Sequence, residues 1–136
     1  VQKEVGERIV ARDGKASILS ISVQAYGEPK YVGKVSARYF TPAPKVDSAI
    51  IHIGNISKKN FQDISEANFF EVVKLAFGQK RKTLLKNLSQ TFENKPSLLE
   101  IFARLGIAEQ ARAEDLTFET MLALAKELFP QKTKQK

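Results

Sequence analysis

The stretch Phe40-Thr41-Pro42-Ala43-Pro44-Lys45-Val46-Asp47-Ser48-Ala49-Ile50-Ile51 decides how this chain is read. An aromatic residue, two prolines and a lysine lead directly into an apolar run. Proline locks φ and carries no N–H, so Pro42 and Pro44 make a stiff, extended loop. A stiff loop can hold the Phe40 ring in a fixed place beside a sheet edge, where it could stack on a flat ligand such as a nucleobase. The plainer reading is a Phe packed under its own loop. Asp47 and Ser48 are neighbours, so on a strand their side chains point to opposite faces and cannot form part of a triad. Structural roles are expected for both, with Asp47 bonding the loop backbone or Lys45.

Working outward, Val46 to Ile53 reads as a strand and Gly54-Asn55 closes it. Upstream, Tyr31 to Arg38 reads as a second strand and Gly27-Glu28-Pro29 as a turn. Ser17 to Tyr26 alternates Leu19, Ile21, Val23 and Ala25 with Ser20, Ser22 and Gln24, which predicts a third strand. Val1 to Ala11 reads as a helix, with Val1, Val5 and Ile9 on one face and Glu4 within reach of Arg8. Asp13-Gly14 ends it with turn chemistry.

Downstream the period becomes helical. Phe69, Val73, Ala76 and Phe77 mark one apolar face, and Leu84, Leu85, Leu88 and Phe92 another. Pro96 suits a first helical turn, with Asn94 as the cap and Gly106 as the stop. Thr117 and Glu119 open a last helix that Pro130 ends. The chain is thus expected to be sheet-rich first and all-helical afterwards, dividing near residues 55–59. Three strands and one helix make a poor core of their own. They read as the last part of a larger sheet, with an exposed edge that promotes self-association.

The 136 residues contain 43% hydrophobic residues, enough for a core, and no cysteine. Disulfides and thiolate metal sites are therefore excluded, and a reducing cytoplasm fits. No apolar run approaches the length of a membrane span, and no signal peptide is visible. The net charge of +7 is unevenly spread: residues 1–60 hold 10 Lys/Arg against 5 Asp/Glu, whereas residues 94–129 hold 4 against 6. A basic first part favours a polyanion such as nucleic acid, although many basic proteins bind none.

Lys80, Arg81 and Lys82 fall where one helix gives way to the next, and Lys86 follows one turn on. Three adjacent cations cannot all face a core. Phosphate contact fits them, and so does a merely solvated helix end. His52, the single histidine, lies in an apolar strand and reads as structural. No Gly-x-Gly occurs, so no nucleotide cradle can be argued, and no metal-ligand spacing is present.

The Phe40–Ala49 segment resembles a signature of the rRNA adenine dimethyltransferases, in which an aromatic precedes a Pro-rich loop ending in Pro-Lys-Val-Asp-Ser-Ala. Phe77-Gly78-Gln79-Lys80-Arg81-Lys82-Thr83-Leu84-Leu85-Lys86-Asn87-Leu88 is similar to a second family segment. Val1 to Ile9 resembles the helix that follows the family's Asn-Leu-Pro-Tyr motif. Ala111-Arg112-Ala113-Glu114-Asp115-Leu116-Thr117 is similar to the stretch before its last helix. The form looks bacterial. Ala43 stands where proline is common, and Gly6, where alanine is usual, should weaken its helix by up to about 1 kcal/mol.

The resemblance implies an α+β fragment. Residues 1–56 would be the last helix and antiparallel edge strands of a Rossmann-like catalytic sheet. Residues 57–129 would be a helical RNA-binding domain, and 130–136 a disordered basic tail. It implies dimethylation of adenine N6 in small-subunit rRNA, with the pre-ribosomal particle as partner and neither metal nor membrane. Phe40 would stack the target base. Arg38, Lys45, Lys80, Arg81, Lys82 and Lys86 would meet RNA phosphates. The family's glycine-rich S-adenosylmethionine loop, ribose-binding acid and Asn-Leu-Pro-Tyr motif all precede the stretch matched here, so this chain alone is expected to bind no S-adenosylmethionine. Two other readings stay open. One is a non-catalytic RNA-binding module of the same ancestry. The other is a macrolide-resistance large-subunit rRNA methylase, against which Gln79 to Leu84 argues.

Overall fold

Helix α1 (Lys3–Ile9) lies against strand β2 (Ser48–Gly54), and a glycine makes that contact possible. A Cβ added to Gly6 would sit 2.8 Å from Ala49 Cβ and 3.1 Å from Ile51 Cδ1. Gly6 therefore gives up some helix propensity in return for a close helix–strand approach. Ile9 is buried beside it, and the i,i+4 ion pair that forms is Lys3–Glu7 at 3.8 Å. Val1 stays extended: Ala49 N–H donates to its carbonyl at 2.7 Å, and its amino group donates to Ala49 O at 3.2 Å. This computed structural model describes residues 1–11 and 15–130. The expected Asp13-Gly14 turn, and the expected basic tail beyond Pro130, lie outside the described residues.

The expected strand at Ser17–Tyr26 is instead helix α2 (Ile18–Tyr26). The alternation misled because every second residue includes every fourth, so Ile21 and Ala25 suit a helix face equally well. Capping decides between the two. Ser20 N–H donates to Ser17 Oγ at 3.2 Å, and Ser17 N–H donates to Ser20 Oγ at 2.9 Å. This reciprocal box satisfies two backbone donors at the helix start. Ser20, Ile21 and Ala25 are buried, which is a helical spacing.

Among the described residues two strands remain, not three. β1 (Glu28–Val35) pairs antiparallel with β2, from Glu28 opposite Gly54 to Val35 opposite Ser48, with a register shift between Tyr31 and Gly33. The expected turn at Gly27-Glu28-Pro29 is therefore already strand from Glu28 onward. The expected second strand ends three residues early, at Val35. Arg38 lies in a short 3-10 turn, Ala37–Tyr39, whose first donors are met by Ser36: its Oγ accepts from Arg38 N–H and its carbonyl from Tyr39 N–H. The outer face of the sheet exposes Val32 and Ile50.

Four helices follow: α3 (Glu66–Ala76), α4 (Leu84–Ser89), α5 (Lys95–Leu105) and α6 (Phe118–Leu128). Each start is capped by a side-chain oxygen, from Ser65, Thr83, Asn94 and Thr117 respectively. Gly106 ends α5 in the left-handed region at φ 73°, where L side chains are strained. Phe69, Leu84, Leu88, Leu98, Phe102, Met121 and Leu124 form the centre of the core. Ile21 and Ala25 of α2 belong to that same core, so it runs unbroken across residue 56.

A polar strut reinforces this junction. Tyr26 Oη donates to Glu66 Oε1 at 2.6 Å, and Lys58 Nζ lies 3.5 Å from the other carboxylate oxygen. The bond from Tyr26 holds the Glu66 carboxyl below its ordinary range. The Glu66 acceptor, with desolvation, pushes Tyr26 up to about 12. Asn60 Nδ2 adds a bond to Ala25 O at 2.9 Å, tying the end of α2 to the linker into the helices.

Candidate nucleic-acid interface

The proline loop hangs from Asp47. Ala37 N–H donates to Asp47 Oδ1 at 2.9 Å, and Lys34 Nζ stands 3.7 Å from Oδ2. The Ala37 N–H, helped by the Lys34 and Lys3 charges, holds this carboxyl below its usual range. The anchor is thus present at neutral pH and is lost as acid protonates it. Of the two partners expected for Asp47, the loop backbone is the one used, and the cation beside it is Lys34, not Lys45. Phe40 follows the 3-10 turn, its N–H donating to Ala37 O at 3.1 Å. Phe40 is 43% exposed, so part of it is open to a ligand. Arg38 and Lys45 belong to the same loop, and both are exposed. His52 is also exposed on β2, opposite Lys30, and fills no place in the core.

Lys80, Arg81 and Lys82 occupy the turn between α3 and α4, and all three are exposed. The residues after them explain the turn's shape. Thr83 Oγ1 accepts from Lys86 N–H at 3.2 Å and opens α4. Leu84, Leu85 and Leu88 bury the inner face of that helix. Asn87, 4% exposed, donates from Nδ2 to Ala76 O at 2.9 Å and to Gln79 O at 3.1 Å. Those carbonyls flank the turn, so one buried amide sets the direction in which the three cations project. Leu84 N–H donates to Ala111 O at 2.8 Å and ties the turn to the loop before α6. Asn87→Ala is expected to destabilise the fold by about 1–3 kcal/mol, because buried carbonyls lose their donor. Chemical denaturation checks this, and an unchanged midpoint would show that water replaces the amide.

The structure adds two cations that the sequence reading did not select. A cleft of about 340 Å³ opens between the start of α2, the α3–α4 turn and residues 112–114. Arg8, Lys80, Lys82 and Arg112 line it, over an apolar floor that includes Ile18, Leu19 and Phe77. Among the described residues, Glu114 is its single carboxylate lining residue. Four basic residues from three separated stretches thus line one concave surface. Arg81 and Lys86 stand outside the cleft lining, as do Arg38 and Lys45. Nothing in local sequence joins Arg8 to Lys80; only tertiary packing does so.

S-adenosylmethionine, the methyl donor implied by the resemblance, does not fit the described residues. Two cavities combine a glycine with a carboxylate. In the first, a Cβ on Gly27 would meet Ile53 Cγ2 at 2.7 Å, so that glycine makes room for the protein itself. Of its two carboxylates, Glu28 accepts from Asn55 Nδ2 at 2.9 Å, and Glu119 stands in the first turn of α6. In the second, Asp115 Oδ2 accepts from Arg112 N–H at 2.9 Å, and Gly106 serves as a helix stop. No group of three or more metal-ligating side chains occurs among the described residues. None of their helices is long and apolar enough to cross a membrane.

The fold recurs in a solved structure. A solved dimethyladenosine transferase from Plasmodium falciparum superposes with a TM-score of 0.73 at 24% identity, covering 96% of this chain and 55% of that one. At that identity the likeness is one of fold. The chain also matches the family model for ribosomal RNA adenine dimethylase over residues 1–129, and it belongs to that family. It is 41% identical over 128 residues to the ribosomal RNA small subunit methyltransferase A of Fusobacterium nucleatum, covering 93% of this chain and 48% of the relative. It is 40% identical to the protein of the same name from Bacillus cytotoxicus, covering 98% and 48%. The chain therefore spans about half the length of the curated relatives it matches.

Proposed function

We propose that this chain is the RNA-holding half of an enzyme that dimethylates adenine N6 in small-subunit rRNA within a pre-ribosomal particle in the cytoplasm. Residues 1–56 contribute the last two helices and the edge strands of its catalytic domain, and residues 57–129 a helical domain that grips RNA. A two-stranded sheet is marginal alone, and the exposed Val32 and Ile50 suit a face covered by further protein. S-adenosylmethionine, on this reading, is held outside the residues described here.

The observation that carries the proposal is the convergence of Arg8, Lys80, Lys82 and Arg112 on one cleft. Clustered cations on a rigid concave surface follow a phosphate backbone and fix its register. Arg81 and Lys86 extend that track on the outer side. Arg38 and Lys45 flank Phe40 on the proline loop. There they would hold the phosphates around an extruded adenine while the ring stacks on the base.

The test uses the protein that carries this chain, labelled methyl donor, and separate small- and large-subunit rRNA. The expected result is dimethyladenine in small-subunit rRNA only. Label on large-subunit rRNA would favour the resistance-methylase reading. RNA binding without any methylation would favour the non-catalytic module.

A further inference from the structure

Tyr39 is the most exposed aromatic side chain among the described residues, at 68%, and the proposed base-stacking role of Phe40 makes no use of it. We propose that Tyr39 is a second stacking platform, which takes the unpaired nucleotide next to the adenine held at Phe40. This rests on the reading of the loop as an RNA-facing surface.

Three observations support it. First, the ring is exposed yet its backbone is fixed. Tyr39 N–H donates to Ser36 O at 3.1 Å, and Phe40 N–H to Ala37 O at 3.1 Å. Asp47 holds Ala37 in turn at 2.9 Å. A flat side chain held by a pinned turn loses little freedom when it binds. Second, Tyr39 and Phe40 are consecutive, so two flat faces emerge from one turn. Consecutive nucleotides of a single strand present flat faces in the same way. Third, the ring already has a cation beside it. Arg38 Nη2 donates to Tyr39 Oη at 3.1 Å, and the guanidinium carbon lies 5.0 Å from the ring centroid. That geometry leaves further guanidinium donors for the phosphate joining the two nucleotides. An aromatic with an attendant arginine suits a nucleotide better than an apolar protein surface, which would leave that charge unpaired.

The experiment compares two RNAs. One is a hairpin with an adenine-containing unpaired loop that carries 2-aminopurine beside an adenine. The other is a fully paired duplex of the same stem. Binding is followed by fluorescence anisotropy for the full protein and for Tyr39→Ala, Tyr39→Phe and the Lys80/Arg81/Lys82 triple glutamine variant. Tyr39→Ala should lose roughly tenfold in affinity for the loop RNA, the worth of one stacked base. It should bind the duplex as the wild type does and change the 2-aminopurine emission of the complex. Tyr39→Phe, which keeps the ring, should restore both signals.

If Tyr39→Ala binds the loop RNA normally while the triple variant binds it weakly, the Tyr39 inference falls and the RNA reading stands. If Tyr39→Ala weakens both RNAs equally, the ring is not a platform for unpaired bases and the inference again falls. If the wild type binds neither RNA, or the triple variant binds as the wild type does, the RNA reading itself fails. Circular dichroism melts keep folding separate, since an exposed ring should not alter the midpoint.

Discussion

Replacing Lys80, Arg81 and Lys82 together by glutamine is expected to weaken binding to structured rRNA by roughly 10- to 100-fold near physiological salt. It should also lower the slope of log affinity against log salt by about 2 to 3, one step for each phosphate that is no longer neutralised. The three side chains are exposed, so their removal takes little from the core. The turn that carries them is shaped by Thr83, Asn87 and the leucines of α4, none of which is changed. Affinity should therefore fall while the melt stays put. Filter binding over a series of salt concentrations checks both numbers. A variant with normal affinity and an unchanged slope would mean that the turn is only a solvated helix end.

Phe40→Ala is expected to act on a different quantity. In the proposed methyltransferase it should reduce methyl transfer by roughly 10- to 100-fold, since a stacked base is worth about 1–3 kcal/mol. Its effect on RNA affinity should be much smaller, because the stacking gained at Phe40 is offset by the cost of extruding the adenine, and phosphates carry most of the binding. The ring is 43% exposed at the end of a turn held by Asp47, so truncation should leave the loop in place. Single-turnover methylation, run beside an affinity measurement on the same RNA, separates the two effects.

Much of the helical part was legible because its signals are local. Asn94, Pro96 and Gly106 bracket α5, and Thr117 caps α6; each acts within one turn of itself. The first part was read less well. Ser17–Tyr26 shows a period of two on paper and a helix in space, because Ile21 and Ala25 satisfy either pattern. The decisive signal was present as Ser17 and Ser20, a capping box built from two serines rather than a serine and a glutamate. The end of β1 was missed by three residues because Ser36 and Asp47 stop it, and Asp47 acts from ten residues away.

The candidate site divides in the same way. Phe40, the basic turn and its neighbours could be singled out because they are contiguous. Arg8 and Arg112 could not, since they reach the cleft only through the packing of α1, α2 and the loop before α6. Gly6 was also read by local propensity alone. Its use lies in the 2.8 Å that a Cβ would leave to Ala49, which no local pattern reveals.

The central claim is a division of labour: the proline loop holds one base, and the cation cleft holds the RNA. The measurement that tests it most directly takes one small-subunit rRNA and two variants of the full-length protein, Phe40→Ala and the triple glutamine variant. Dissociation constant and single-turnover methylation rate are recorded for each. Phe40→Ala is expected to lose methylation at saturating RNA while keeping most of its affinity. The triple variant should lose affinity and recover most of its methylation rate once RNA is saturating. Equal losses in both quantities for Phe40→Ala would contradict it, and would make Phe40 a packing residue.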